Sequence, residues 1–343
     1  MTKQVAPFSV GFDCGNGAVK LKVSGHGNDF EYIRFPSYYF DVSTCTGDHQ
    51  GKSKVTYLEA PENNKVAKGY VGKTFVTGDD ATVFDVRNQV FDNRSDGKVQ
   101  LALPLFLSAI AQLPITRKHW EFRVVASIHD AEIYGDKLAG SLAGRHIVEI
   151  AGQKTTIVIH IVKIYDEGYI FKPSSKGNTT ILDIGNGTSI ITRFDSEGNV
   201  IFRPAPYRFG VQHLYKKINE HPDLRAIGLD RDIELIRRGV ETSTVGKIFY
   251  GFGNGAKNIT KAYKESLKDW SSLYLKETIA TVDKFQMEGD KIVLVGGGAC
   301  LPLLDKNFQK KGYVFKSNAP FMNVKKLHEA ACNALTTEVM EVA

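Results

Sequence analysis

Cysteine is scarce in this sequence. There are four in 343 residues, Cys14, Cys45, Cys300 and Cys332, and no two form a C-x-x-C pair. That excludes the usual zinc motifs and a disulfide framework. Unpaired thiols fit a reducing compartment. No apolar run reaches eighteen residues, so no membrane-spanning helix is expected. The stretch Met1–Pro7 is short and polar, without the apolar core of a secretion signal, and the cytosol is the expected location. A P-loop is also lacking. Gly72-Lys73-Thr74 ends like one, but Ala67 stands where the first glycine is required. Lysine and arginine nowhere cluster with interleaved aromatics, so direct nucleic-acid binding is not expected. The net charge of +6 is spread along the chain and reads as a soluble surface with a mild bias towards anions.

What is present is an ordinary globular balance, 42% hydrophobic and 24% charged, in a chain long enough for two domains with a core each. Strand patterns alternate with helical ones, which points to an α/β protein. Phe8–Asp13 reads as a buried strand and Ala18–Ser24 as a half-buried one, with Gly15-Asn16-Gly17 between them. Asn-Gly between two such runs signals a hairpin. Residues 26–94 are polar and rich in Gly, Asp, Asn and Tyr, and read as an inserted subdomain with short strands at Lys54–Glu59 and Gly69–Phe75. A helix is expected over 96–113, with Leu101, Leu105, Ile110 and Leu113 on one side. A strand over Trp120–Ile128, a helix over Ala131–Ala143 and strands over Arg145–Gly152 and Thr155–Tyr165 follow. Lys172–Asn178 has the composition of a linker. Beyond it come strands at Thr179–Asp183 and Ser189–Phe194, helices at Gly210–Glu220 and Asp232–Arg238, and a flexible loop at Gly251–Gly255. A long helix over Asn258–Phe285, a strand at Lys291–Val295 running into Gly296-Gly297-Gly298, and a helix over Val324–Val342 complete the pattern. The expected domains are 1–175, carrying the insert, and 176–343, carrying a subdomain at about 211–256, with the last helix able to pack back on the first domain.

The most informative feature is a repeat. Phe12-Asp13-Cys14-Gly15-Asn16-Gly17 matches Leu182-Asp183-Ile184-Gly185-Asn186-Gly187, each at a strand–turn–strand junction. Glycine-rich turns offer backbone N–H groups in a concave array that suits phosphate, and glycine has no Cβ to hold the ligand off. Asp13 and Asp183 would repel phosphate unless Mg2+ with its waters lay between. Lys20 would add a point charge, and Thr188 a hydroxyl donor. Gly296, Gly297 and Gly298 fit close approach to a flat ligand such as adenosine. A nucleotide gripped by the two turns is the expectation these residues carry.

The set is similar to the actin-like ATPase superfamily, shared with heat-shock chaperones and sugar kinases, and most resembles its bacterial plasmid-segregation branch, the ParM-like proteins. The first phosphate motif is matched by Asp13-Cys14-Gly15-Asn16-Gly17-Ala18-Val19-Lys20, the second by Asp183 to Thr188, and the adenosine motif by Val295 to Ala299. The resemblance implies two duplicated actin-like (ribonuclease-H-like) domains with a nucleotide cleft between them, ATP and Mg2+ as cofactors, self-assembly into filaments, and a DNA-binding adaptor in plasmid segregation. It also implies a water-positioning glutamate before the linker, a place taken by Glu167 with Asp166 as competitor. Asn16 stands where Ser or Thr is common, and Ile190 where an acidic residue is usual. Binding is thus the firmer expectation and fast hydrolysis the weaker. Two rival readings make different demands on the sequence. A sugar or acid kinase would need a base such as Asp130. A non-catalytic membrane adaptor would need a basic amphipathic tail, and Thr336–Ala343 is acidic and apolar instead.

Overall fold

The computed structural model describes residues 6–46, 49–90, 96–171, 177–226, 232–243, 246–251, 253–315 and 318–342. Most of the linker stretch at 172–178 lies outside them. The chain forms two compact units, Met1–Ile170 with Asn323–Ala343, and Phe171–Met322.

In the first unit, Phe8–Cys14 and Ala18–Gly25 pair as the expected antiparallel hairpin. Every residue of Phe8–Cys14 is buried, whereas Ala18–Gly25 alternates, so one strand is central and the other half-covered. On the other side Phe8–Cys14 pairs in parallel with His119–Ile128, which pairs in parallel with Gln153–Asp166. Ile33–Pro36 adds antiparallel to the outer hairpin strand. The second unit repeats this arrangement with fewer strands. Thr179–Ile184 and Ser189–Phe194 form the hairpin, Val200–Phe202 adds outside it, and Lys291–Val295 and Val314–Phe315 continue in parallel on the other side. The repeat seen in sequence is therefore a repeat of topology. In both units the repeated aspartate sits at the last parallel pair before the turn, Asp13 opposite Ser127 and Asp183 opposite Val295.

Several expectations need correction. The insert at 26–94 does not stand apart. Its strands Val55–Glu59, Thr74–Thr77, Tyr38–Asp41 and Asn88–Gln89 continue the same sheet beyond Gly144–Ile150. The strand expected at Gly69–Phe75 begins only at Thr74, because Lys65–Lys68 forms a helical turn capped by Asn64 and Gly72 takes a left-handed φ of 81°. The helix Gly97–Ala111 is buried all round from Gly97 to Ile110 except at Gln100, not along one stripe. The wider sheet and the helix Ala131–Leu142 between them cover its other sides. The long helix is Thr260–Trp270 and Lys276–Met287, joined through a π-turn at Ser271–Leu275. A short helix, Leu304–Lys310, was not legible.

The core of the first unit includes a buried polar contact whose protonation state is fixed by its surroundings. His146, fully buried, lies with Nδ1 2.6 Å from the Tyr57 hydroxyl and Nε2 2.9 Å from the Leu142 carbonyl. The carbonyl only accepts, so Nε2 carries the proton and Nδ1 accepts from Tyr57. Burial lowers the His146 pKa to about 4 from its ordinary 6.5. The folded-state value lies below the unfolded one, so the contribution to stability is intact above pH 6.5 and is lost as pH falls towards 4. Its full size is on the order of 3 kcal/mol. Urea titrations at pH 7 and pH 4.5 should show a smaller acid-induced loss for His146→Gln than for the wild type. Equal losses would remove His146 as the cause.

Candidate functional site

The first hairpin turn is closed by groups the sequence did not advertise. Ser37, fully buried, donates its hydroxyl to the Gly15 carbonyl at 2.5 Å and its N–H to the Gly17 carbonyl at 3.3 Å. A Cβ at Gly15 would lie 2.6 Å from the Ala18 carbonyl oxygen, so the turn is too tight for any side chain there. The second turn is held from a different direction. Gly185 N–H donates to the Thr188 carbonyl at 2.8 Å, and the start of the helix Val211–Glu220 closes over the loop. The N–H groups of Gly210, Val211 and Gln212 donate to the carbonyls of Gly187, Gly185 and Asn186 at 3.1, 3.1 and 2.8 Å. A Cβ on Gly210 would meet the Asn186 carbonyl oxygen at 2.5 Å. The hairpins match expectation. None of Gly15, Asn16, Gly17, Gly185, Asn186 and Gly187 has a positive φ. Their glycines serve close approach and not left-handed backbone.

Asp13 is 5% exposed, and Lys20 across the hairpin donates to its Oδ2 at 2.9 Å. Lys20 therefore neutralises the first carboxylate. The same unit holds a second pair that sequence reasoning missed. Lys98, 4% exposed on the first turn of the helix Gly97–Ala111, forms an ion pair with Oε1 of Glu167. Burial alone would lower the Lys98 pKa, but Glu167 above all, with Asp13 and Cys14, raises it above its ordinary value. The buried Cys14 thiol is pushed up to about 12, chiefly by burial, with Lys98 opposing and Asp13 and Glu167 adding. His129 is lowered by burial and then by Lys98, so its ring is neutral near pH 7. The turn, Asp13, Lys20, Lys98 and Glu167 thus lie in one electrostatic neighbourhood. The missed signal was a lone lysine in an otherwise apolar helix.

The two acidic candidates before the linker separate clearly. Asp166 ends the strand Gln153–Asp166, and its Oδ1 accepts from the Ala131 N–H at 2.7 Å, anchoring the start of the helix Ala131–Leu142. Glu167 follows the strand, its own N–H bonded to the Ile128 carbonyl at 2.9 Å, and its side chain meets Lys98. Asp130, the base a kinase would need, caps the same helix by accepting from the Ile133 N–H at 3.0 Å.

In the second unit Asp183 lies directly against the glycine triplet. Gly296 has φ +84°, and a Cβ there would meet Asp183 Oδ1 at 2.2 Å and the Ile184 carbonyl oxygen at 2.6 Å. Gly298 is closed by Ile184 and Val211 at 2.3 and 2.7 Å. A Cβ at Gly297 would meet nothing within 4 Å. The triplet is locked at both ends and open in the middle, which leaves its backbone accessible to a flat ligand. The strand Thr179–Ile184 carrying Asp183 is tied to its sheet by Asp290, which accepts two hydrogen bonds from Arg193 at 2.9 and 2.8 Å and one from Thr180 at 2.6 Å. Among the described residues, no group of three or more His, Cys, Asp or Glu is arranged to hold a metal ion. Among them also, no helix is long and apolar enough to cross a membrane.

Residues 11–169 match the family model for the N-terminal domain of actin-like proteins. No curated protein matches by sequence. Among solved structures, ParM from Bacillus thuringiensis with ATP is 17% identical, with 96% of this chain covering 99% of that one at a TM-score of 0.67. An archaeal actin homologue is 15% identical, with 94% of this chain covering 99% of that one at 0.68. The apo ParM of pSK41 is 18% identical, with 96% covering 99% at 0.60. A B. thuringiensis hybrid protein with ADP, containing two ParM mutants, is matched over 97% of this chain and 50% of its own length, at 17% identity and a TM-score of 0.66. At these identities the structural likeness establishes the fold: two-domain, actin-like and α/β.

Proposed function

Given that residues 11–169 match the actin-like N-terminal domain and that the chain folds like ParM, we propose that it is an ATP-binding, ATP-hydrolysing protein that assembles into filaments. The observation that carries the reading is the duplicated aspartate–glycine turn at the same topological position in each unit. ParM from B. thuringiensis has been solved with ATP, with AMPPNP and with ADP, which supports a nucleotide as the ligand. In this proposal the turns at Gly15–Gly17 and Gly185–Gly187 bind phosphate through backbone N–H groups, with Thr188 adding its hydroxyl. Gly296–Gly298 take the adenosine.

In the same proposal Asp13 and Asp183 would hold Mg2+ through its waters. That ion, when bound, supplies charge neutralisation for the phosphates. Lys20 limits the negative charge that Asp13 would otherwise present to a phosphate. Glu167 orients the attacking water and accepts its proton. The site is built for positioning and charge stabilisation, with no covalent step on the protein. Loss of the γ-phosphate then alters the fit of ligand to protein and gives an assembly a clock. A cytoplasmic role in plasmid segregation through a DNA-binding adaptor is the corresponding biological proposal.

The test is light scattering and phosphate release with ATP and Mg2+, compared with Asp183→Ala. The wild type should scatter and release phosphate. The variant should lose both by at least about tenfold, because its carboxylate anchors the charge-balancing machinery. A variant that hydrolyses and assembles normally would overturn the scheme. Competition with GTP in the same assay assigns the base.

A further inference from the structure

We propose that Lys98 is a positioning residue for hydrolysis, holding the carboxylate of Glu167 in one orientation. The proposal rests on the reading of Glu167 as the water-orienting group and deepens it. Its starting point is an anomaly of placement. Lys98 lies on a helix buried from Gly97 to Ile110 except at Gln100, where an apolar side chain would be the ordinary choice. A buried ammonium–carboxylate pair is rarely more stabilising than two apolar residues of the same size, because desolvating both charges offsets their attraction. Folding alone therefore gives no reason for a lysine there. The side chains of Lys98 and Glu167 are 5% and 13% exposed, so the pair is largely shielded from water. Only the glutamate retains a margin of contact with solvent.

The surroundings leave Lys98 one main task. The charged and titratable groups acting with it are Glu167, Asp13, Cys14 and His129. Asp13 already has Lys20. Cys14 stays a neutral thiol, and His129 stays neutral near pH 7. Lys98 is thus the cation that balances Glu167. A carboxylate that must accept a hydrogen bond from water has to be fixed in direction. A lysine bonded to Oε1 fixes it, and does so without touching the reacting atoms.

The experiment follows kcat against pH, and binding of a fluorescent ATP analogue, in the wild type, Lys98→Met, Lys98→Arg and Glu167→Gln. Removing the ammonium group should lower kcat over the whole pH range. At pH 7, kcat should fall at least about tenfold while the analogue binds within about threefold of wild type, as expected for a loss felt in the chemical step. Lys98→Arg should restore most of the rate. A Lys98→Met protein with the wild-type profile would overturn the proposal. So would one that loses nucleotide binding in proportion to rate, because Lys98 would then act on phosphate. If Lys98→Met fails to fold, the Lys98→Met/Glu167→Gln double variant decides. It should fold and match the kcat of Glu167→Gln alone, and a much slower double variant would show an independent role and sink the idea. A wild-type chain that binds ATP without hydrolysing it would remove the reading of Glu167 as well. Wild-type hydrolysis unaffected by Lys98→Met would remove only the lysine.

Discussion

Gly11→Ala is expected to destabilise the first unit by about 3 kcal/mol, the upper end of the usual overpacking range. The reason is the identity of the atoms in the way. A Cβ on Gly11 would lie 2.5 Å from the backbone N of His328 and 2.5 Å from the carbonyl oxygen of Val324. Both belong to the helix Met322–Val342, which meets the strand Phe8–Cys14 backbone to backbone. A flexible side chain could swing aside, but helical backbone cannot without breaking its own hydrogen bonds. A built-in comparison is Gly140 in the helix Ala131–Leu142, where a Cβ would meet nothing within 4 Å and φ is not left-handed. Gly140→Ala should stabilise by about 0.5–1 kcal/mol through helix propensity and the reduced entropy of the unfolded chain. Urea unfolding of the two variants beside the wild type should move the midpoints in opposite directions. A Gly11→Ala midpoint at or above that of wild type would contradict the close approach.

The second large effect separates two adjacent carboxylates. Glu167→Gln should reduce kcat by about 100-fold or more while leaving nucleotide binding nearly intact, because a neutral amide cannot take a proton from water. Asp166→Asn should leave kcat within about threefold and instead lower stability by about 1 kcal/mol, the value of a helix-start hydrogen bond to a charged acceptor. The distinction rests on a 2.7 Å bond from the Ala131 N–H to Asp166, against the Lys98 contact of Glu167. Single-turnover phosphate release and a urea titration on each variant would show the exchange of roles. The reverse result, a dead Asp166→Asn and an active Glu167→Gln, would transfer the water-positioning role to Asp166.

The duplicated hairpins were legible because they depend on local rules. An apolar run, an aspartate, two glycines and an alternating run determine strand, turn and strand within about fifteen residues, and the pattern occurs twice. The helix Ala131–Leu142 was legible for the same reason, with Asp130 at its cap. What was not legible depends on partners distant in sequence. Ser37 closes the first turn from 22 residues away, and Lys98 reaches Glu167 across 69. No local pattern distinguishes Ser37 from an ordinary loop serine, and for Lys98 the one local sign is its place in a largely apolar helix, which does not name its partner. The all-round burial of Gly97–Ala111 likewise follows from the insert joining the main sheet, and short strands such as Asn88–Gln89 have no periodicity to read. The glycines of the turns are legible as positions where backbone approaches backbone closely, as at Gly15 and Gly185. Their ordinary φ values show that steric room and not handedness selects them, which sequence alone does not separate.

The contact at Gly11 also bears on how the chain is made. The first unit is discontinuous, with 171–322 intervening before its last helix. On a ribosome, the strand carrying Asp13 emerges early, and although the helix Gly97–Ala111 can cover one side of it through Phe106 on Phe12, the side facing Gly11 waits until residues 324 and 328 have left the exit tunnel. The second unit is one unbroken segment and needs no such wait. Vectorial synthesis therefore favours completion of the later-encoded unit before the earlier one, reversing the usual N-terminal-first order. For that interval the strand Phe8–Cys14, buried along its whole length in the finished fold, has one face without its final cover. During that stage the nascent surface invites association with other chains.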